Sequence, residues 1–113
     1  MATKRVFLEV GSGNDWHGGD YTKAARRAVE DALHHSSLIL LKTLDLAAEK
    51  MLVEVTIGVQ KPEKIDAAKL KAIVPHGEVK VTAVKGGLDI QNAGPDDVTV
   101  IAAAAIVVHL DLA

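Results

Sequence analysis

Apolar and polar positions alternate along this chain with two different periods, and the changes of period mark its elements. Lys4 to Val10 has period two, with Val6, Leu8 and Val10 on one side and Arg5, Phe7 and Glu9 on the other. That is the pattern of a strand with one face buried. Tyr21 to Ser36 switches to the helical period. Tyr21, Ala24, Ala25, Ala28, Val29, Ala32 and Leu33 form an unbroken i, i+3, i+4, i+7 stripe, and Asp20 stands just before it as N-cap. Ser37 to Lys50 is apolar without a clear period and fits a short helix or an irregular cover equally.

Met51 to Gln60 returns to period two, with Met51, Val53, Val55, Ile57 and Val59 on one face and Leu52, Glu54, Thr56, Gly58 and Gln60 on the other. Pro62 ends that strand. Asp66 can cap a short helix through Ala67, Leu70, Ile73 and Val74, which Pro75 stops. Glu78 to Lys85 reads as a third strand with Val79, Val81 and Ala83 inward, closed by Gly86-Gly87. Leu88 to Asp97 reads as a loop around Gly94-Pro95-Asp96, and Val98 to Leu112 as a long, almost wholly apolar last strand.

The order β-α-β-α-β-β predicts an α/β (α+β) fold: one four-stranded mixed sheet with two helices on one face, in a single domain spanning residues 1–113. The other face is expected to carry Phe7, Glu9, Glu54, Thr56, Lys80, Thr82, Ile101, Ala103, Ala105 and Val107. Left open, Ile101 and Val107 would form an exposed patch, so burial against another copy of the chain is favoured over a solvated face. Aromatic residues are only 3% of the sequence, so the core must be built from Val, Ile, Leu and Ala. Small side chains bury little area each, which adds to the expectation of self-association.

The formal net charge is −2 with both signs interspersed. Lys4-Arg5 and Arg26-Arg27 read as separate solvated pairs, and nothing resembles the continuous basic stripe that nucleic acid needs. Without cysteine there is no disulfide and no thiolate metal site. The longest apolar run, Val100 to Val108, is far short of a membrane span, and Met1 to Val10 has no signal-peptide run. A cytoplasmic protein with no membrane and no nucleic-acid partner is expected.

Candidate chemistry concentrates in Gly11-Ser12-Gly13-Asn14-Asp15-Trp16-His17-Gly18-Gly19-Asp20, which holds four of the nine glycines and the only Trp. Glycines let backbone approach a ligand closely. The stretch lies between a strand and a helix, but it is neither a Walker-type phosphate loop nor a dinucleotide fingerprint. Generic anion binding through N–H groups of Gly18, Gly19 and the first helical turn is compatible with it, opposed by the charges of Asp15 and Asp20.

The sharper feature is Asp15-x-His17. In an extended segment these side chains share one side and can share a proton or a metal ion. Asp15 and His17 are therefore the candidate catalytic pair, and also the candidate metal pair for a divalent ion such as zinc. Gly11, Gly13, Gly18, Gly19 and Asp20 are the candidate ligand-binding residues, joined by Gly86 and Gly87 if that turn lines the same cleft. Zinc needs at least one more protein ligand. His34 and His35 lie about 20 Å away along the helix and would serve only across a subunit interface. The plainer alternative has Asp15 and Asp20 capping turns and His17 bonding the loop. His109 and Asp111, beside Thr99, form a weaker polar group on the last strand, and His76 reads as a surface turn.

The run Phe7 to Gly18, with its Gly-x-Gly-x-Asp-x-His-Gly motif, resembles a small family of uncharacterised bacterial and plant proteins. The resemblance continues through the Ala-rich helix, Val53-Glu54-Val55-Thr56-Ile57, Pro62-Glu63, Gly86-Gly87-Leu88 and the Ala-rich last strand, and it implies no particular activity. A weaker resemblance is to the methylerythritol cyclodiphosphate synthases, trimers that also open with a strand, a glycine and an Asp-x-His supplying two zinc ligands between subunits. It implies that Asp15 and His17 match those ligands, and a trimer-forming α/β architecture like that of the chorismate mutase type.

The functional expectation is a small homo-oligomer, a trimer or a multiple of one, that binds or transforms a small molecule at the Gly11–Asp20 loop between subunits. One alternative is a metal-dependent lyase or hydrolase using Asp15 and His17. Another is a structural or regulatory oligomer without chemistry.

Overall fold

The computed structural model describes residues 3–34, 51–74 and 77–111. Its elements are β1 (Thr3–Asp15), α1 (Tyr21–His34), β2 (Met51–Val59), a 3-10 turn (Pro62–Lys64), α2 (Ala67–Lys71), β3 (Glu78–Lys85), β4 (Leu88–Gln91) and β5 (Val98–Asp111). The class is mixed α and β, as the alternating periods predict. The expectations for Ser37–Lys50, His35, His76 and Leu112 lie outside the described residues.

The sheet has five strands rather than four, in the order β1-β5-β2-β3 with β4 also beside β5. β5 is its axis. β1 runs antiparallel along one edge of it, from Thr3 opposite Asp111 to Asp15 opposite Val100. On the other edge β2 covers Ala103 to Leu110, and β3 runs parallel to β2 beyond it. β2 stops short of the first residues of β5, whose backbone groups then need a second partner. β4 supplies it, pairing Leu88–Gln91 with Ile101–Val98. Leu88 to Asp97 was expected to be wholly loop; its first four residues alternate, but the turn formers after them mask so short a period.

β1 differs from expectation in length and in phase. It continues through Gly11–Asp15, so half of the glycine-rich stretch is strand, not loop. Phe7, Gly11, Gly13 and Asp15 stand opposite Val108, Ala104, Ala102 and Val100, the buried side of β5. Leu8 and Val10 therefore face outward, as does Ser12, opposite exposed Ala103. Phe7 and Glu9, expected on the open face, lie on the helix side instead. The physical reason is the distance to α1. A Cβ on Gly11 would sit 2.4 Å from the Ala32 nitrogen and 2.5 Å from the Ala28 oxygen; on Gly13 it would sit 2.3 Å from the Ala28 nitrogen and 2.5 Å from the Ala24 oxygen. Only glycine fits there, so the glycines set the phase of the strand. A register shift between Arg5 and Phe7 accommodates the change at its start.

α1 buries the side its stripe marks: Tyr21, Ala24, Ala25, Ala28, Val29 and Ala32. Met51, Val53, Val55, Ile57 and Val59 of β2 and alternate residues of β5 from Val100 to Leu110 complete the core, with Leu70 of α2. No helix among the described residues is long and apolar enough to cross a membrane.

A side chain at position 13 has no room on either side of the strand–helix contact. We expect Gly13→Ala to cost about 3 kcal/mol of stability, the upper range for overpacking, measured as a lowered urea midpoint. A midpoint equal to that of the parent protein would show that α1 can move away from β1 freely.

Candidate functional site

One end of the sheet gathers the C-terminus of β1, the N-terminus of α1 and the loop between β4 and β5. Asp15, the last residue of β1, is only 5% exposed. Its Oδ2 accepts from the Asp20 backbone N–H at 2.9 Å, and its Oδ1 lies 3.7 Å from Lys23 Nζ. The turn wraps this carboxylate so tightly that a Cβ on Gly18 would be 2.8 Å from Oδ2, and Gly19 takes a left-handed φ of 61°. Asp20 then caps α1: its Oδ1 accepts from the Lys23 N–H and its carbonyl from the Ala24 N–H, each at 3.1 Å. Two aspartates in series thus carry the chain from strand to helix.

His17 is exposed and turns to a different partner. Its Nδ1 lies 2.9 Å from Asp97 Oδ1. Asn92 Nδ2 donates to the same oxygen at 3.2 Å and to Thr99 Oγ1 at 2.9 Å, and the Thr99 hydroxyl donates to the Trp16 carbonyl at 2.6 Å. The hydrogen bond with His17, then that from Asn92, hold the Asp97 carboxyl below the usual carboxylate range. The Asn92–Asp97 loop is closed from within by the Asn92 N–H on the Asp97 carbonyl at 2.8 Å and by Gln91 Nε2 on the Gly94 carbonyl at 2.8 Å. Trp16 is 63% exposed beside it.

Asp15 and His17 therefore share no partner, although the sequence spacing suggested one. β1 ends at Asp15, so the alternation of sides does not extend to His17. No group of three or more His, Asp or Glu among the described residues could hold a metal ion. Gly18, Gly19 and Asp20 do form the turn at this end. Gly11 and Gly13 do not reach it; the space before them is filled by α1.

Gly86 and Gly87 serve the passage from β3 to β4. Gln60 Nε2 donates to both their carbonyls at 3.1 Å, and Gly87 has φ 61° with the Ile101 oxygen 2.2 Å from where its Cβ would be. His34 ends α1, away from the loop. His109 lies on the open sheet face, with Nε2 3.7 Å from Glu54 Oε1.

Two parts of this end are not visible in the sequence. Asp97 and Asn92 looked like ordinary turn formers, and only the fold brings them to His17, 80 residues away. The other part is a buried pair. The Tyr21 hydroxyl, at the start of α1, donates to Asp89 Oδ2 of β4, while Asp89 Oδ1 is buried without a hydrogen-bond partner among the described residues. Burial, then the Asp89 bond and charge, push the Tyr21 hydroxyl up to about 12. The position of Asp89 on the helix side would have been legible only if β4 had been recognised.

The chain matches the conserved hypothetical protein family Lin0512_fam over residues 5–108, and it belongs to that family. Among curated proteins, none matches it. Among solved structures, it is similar to the crystal structure of an FtsZ-like protein of unknown function from Nostoc punctiforme. The two are 32% identical, 98% of each chain is covered, and the TM-score is 0.84.

Tyr21 is the chain's single tyrosine, so its ionisation can be followed by near-ultraviolet absorbance. We expect a folded-state midpoint close to the value of about 12, lowered by Asp89→Asn. Because the folded value is raised, this group's contribution to stability is complete below about pH 10, the unfolded value, and is lost as pH rises through the folded one. A folded-state midpoint at the unfolded value would contradict the buried pair.

Asp97 works in the opposite direction. Its folded value is depressed, so its contribution is present above about pH 4 and is lost as pH falls through the folded value below that. Urea midpoints of the parent and of Asp97→Asn should differ near neutral pH and converge in acid. A difference that does not change with pH would sink this assignment.

Proposed function

We propose that this member of the Lin0512_fam family is a small homo-oligomer that binds a small molecule at the paired loops 15–20 and 92–97, with its copies meeting on the open face of the sheet. The observation that carries this reading is the apolar character of that face. Leu8, Val10, Val84, Leu88 and Ile90 are between 44% and 64% exposed, and the strand register puts all five on the side away from α1. Ala103 is exposed among them, with Ile101, Ala105 and Val107 half-buried. The ionisable residues of this face, Arg5, Glu54, Glu78, Lys80 and His109, gather from the Leu8 row towards its other end. A soluble monomer rarely leaves so contiguous an apolar area in water.

The apolar half of the face also adjoins the loops. Leu88 and Ile90 lead directly into Gln91 and Asn92, and from Val10 β1 runs on to its end at Asp15, just before Trp16. Copies packed there would bring the His17–Asp97 pair of one chain close to its neighbour, which supports a site between subunits. A trimer, or a multiple of one, is the assembly we expect.

The His17–Asp97 contact favours a second reading, in which the bound molecule is also transformed. A carboxylate on Nδ1 fixes the imidazole tautomer and leaves Nε2 as the proton acceptor. In that case His17→Asn would remove turnover and leave the oligomer intact.

Light scattering at micromolar concentration tests the assembly. The expected mass is a multiple of the 11.9 kDa chain. Ala103→Glu and Val10→Asp should lower that mass, because a charge on this face is buried only when a neighbour covers it, while each chain keeps its secondary structure. A monomeric parent protein, or an oligomer indifferent to both substitutions, overturns the reading.

A further inference from the structure

We propose that a cleft on the helix side, between α1 and α2, binds a compact multivalent anion of the phosphate or pyrophosphate class. The inference goes beyond the reading above and does not need the oligomer.

The cleft has a volume of about 480 Å³, within the range of small-molecule sites. Lys23, Arg26 and Arg27 line it from α1, and Lys69, Ala72 and Ile73 from α2 and the turn after it. In the sequence, Arg26-Arg27 looked like a solvated pair. In the fold, their i+3 and i+4 spacing from Lys23 puts all three on one outer side of the helix, and α2 sets Lys69 facing them. Four cations thus meet in a chain whose formal net charge is −2. Among the described residues one carboxylate lines the cleft, that of Asp20, and its Oδ1 is engaged by the Lys23 backbone N–H.

Like charges at these helical spacings repel, and the repulsion destabilises the helix unless a counter-charge is present. Local bonds hold the three α1 side chains in place, and the carboxylates of Glu30 and Asp15, which do not line the cleft, offset part of the charge of Arg26 and Lys23. Arg27 Nη1 donates to the Asn14 carbonyl at 2.6 Å, Arg26 Nε to Glu30 Oε1 at 3.0 Å, and Lys23 Nζ lies 3.7 Å from Asp15. A guanidinium carries five N–H donors in a planar fork that matches phosphate oxygens, and each of these two anchors occupies one. The ordering cost of the arginines is therefore partly met before a ligand arrives. Ala72 and Ile73 give the cleft an apolar wall, suited to the organic part of a phosphorylated metabolite. Duplex nucleic acid would need a longer basic surface and a groove-sized element, neither of which adjoins this cleft among the described residues.

The experiment is calorimetric titration of the whole protein with pyrophosphate at low ionic strength, with orthophosphate, citrate and a short DNA duplex as separate arms. We expect saturable binding of pyrophosphate, weaker binding of orthophosphate, and loss of both in high salt. Arg26→Glu with Lys69→Glu changes two exposed side chains and should weaken pyrophosphate binding by about tenfold or more. Glu30→Gln, which releases Arg26 from its partner, should strengthen it.

Circular dichroism and the light-scattering mass of each variant should match the parent. An altered mass would then bear on the sheet face, and a lost titration on the cleft. No saturable binding by the parent, an affinity indifferent to the double substitution, or no gain from Glu30→Gln overturns the proposal. So does tighter binding of citrate or of duplex DNA than of pyrophosphate.

Discussion

The close approach of β1 to α1 is the constraint from which the rest of the structure follows. Gly11 and Gly13 lie almost against the backbone of Ala24, Ala28 and Ala32, with no space for a side chain between them. Strand and helix therefore touch backbone to backbone along a seam of the smallest residues. That contact places α1 directly over the β1–β5 pair, where fully buried Ala102 and nearly buried Ala104 continue the same small surface. It also decides which way β1 faces. Because the glycines must point at the helix, Leu8 and Val10 must point away. Each, about half exposed, then forgoes part of the roughly 1.5–3 kcal/mol that full burial of such a side chain contributes. Packing on one side of the sheet thus places Leu8 and Val10 on the apolar surface of the other.

The same seam fixes the end of the sheet where the polar groups gather. Once β1 is held in phase, Asp15 must turn inward, and a buried carboxylate needs donors. The Asp20 N–H supplies one, and Asp20 in turn starts the helix that covers Asp15. Lys23, one turn further on, completes the charge balance. The outward-turning residues that follow, Trp16 and His17, are tied by the Trp16 carbonyl to Thr99 and by the imidazole to Asp97. Two aspartates of identical chemistry thus have different work. Asp15 is inside and structural, while Asp97 is at the surface beside an imidazole.

Much of the fold was legible because its signals are local. The stripe of α1 matches its buried side from Tyr21 to Ala32, and the alternation of β2 matches its buried face from Met51 to Val59, since each element packs one continuous face. β1 was misread because Val6, Leu8 and Val10 offer an apolar alternation that competes with Phe7, Gly11 and Gly13. Glycine carries no hydrophobic signal, and its packing value depends on a helix whose distance the sequence does not state. The glycines around Asp15 and His17 carry a related ambiguity. Glycines that admit a neighbouring helix look the same, in sequence, as glycines that admit a ligand. Of the four glycines from Gly11 to Gly19, only Gly18 and Gly19 belong to a turn. The pairs His17–Asp97 and Tyr21–Asp89 span long stretches of chain and depend on β4, which is four residues long, so no local pattern could announce them.

α1 is consequently a wall shared by three environments. Its inner side is committed to alanine by the glycines of β1, and its N-terminus is held by Asp20. Only its outer side is free to vary without disturbing the core, and that side carries Lys23, Arg26 and Arg27. A helix clamped along its inner face and at its start is a rigid support, so the positions of those cations follow from the core rather than from the loops. The sheet's open face has a complementary history: its β1 residues, Leu8 and Val10, were turned outward by the same clamp. The two surfaces lie on opposite layers of the molecule. Substitutions on one can therefore be read independently of the other, provided that Gly11 and Gly13 remain as they are.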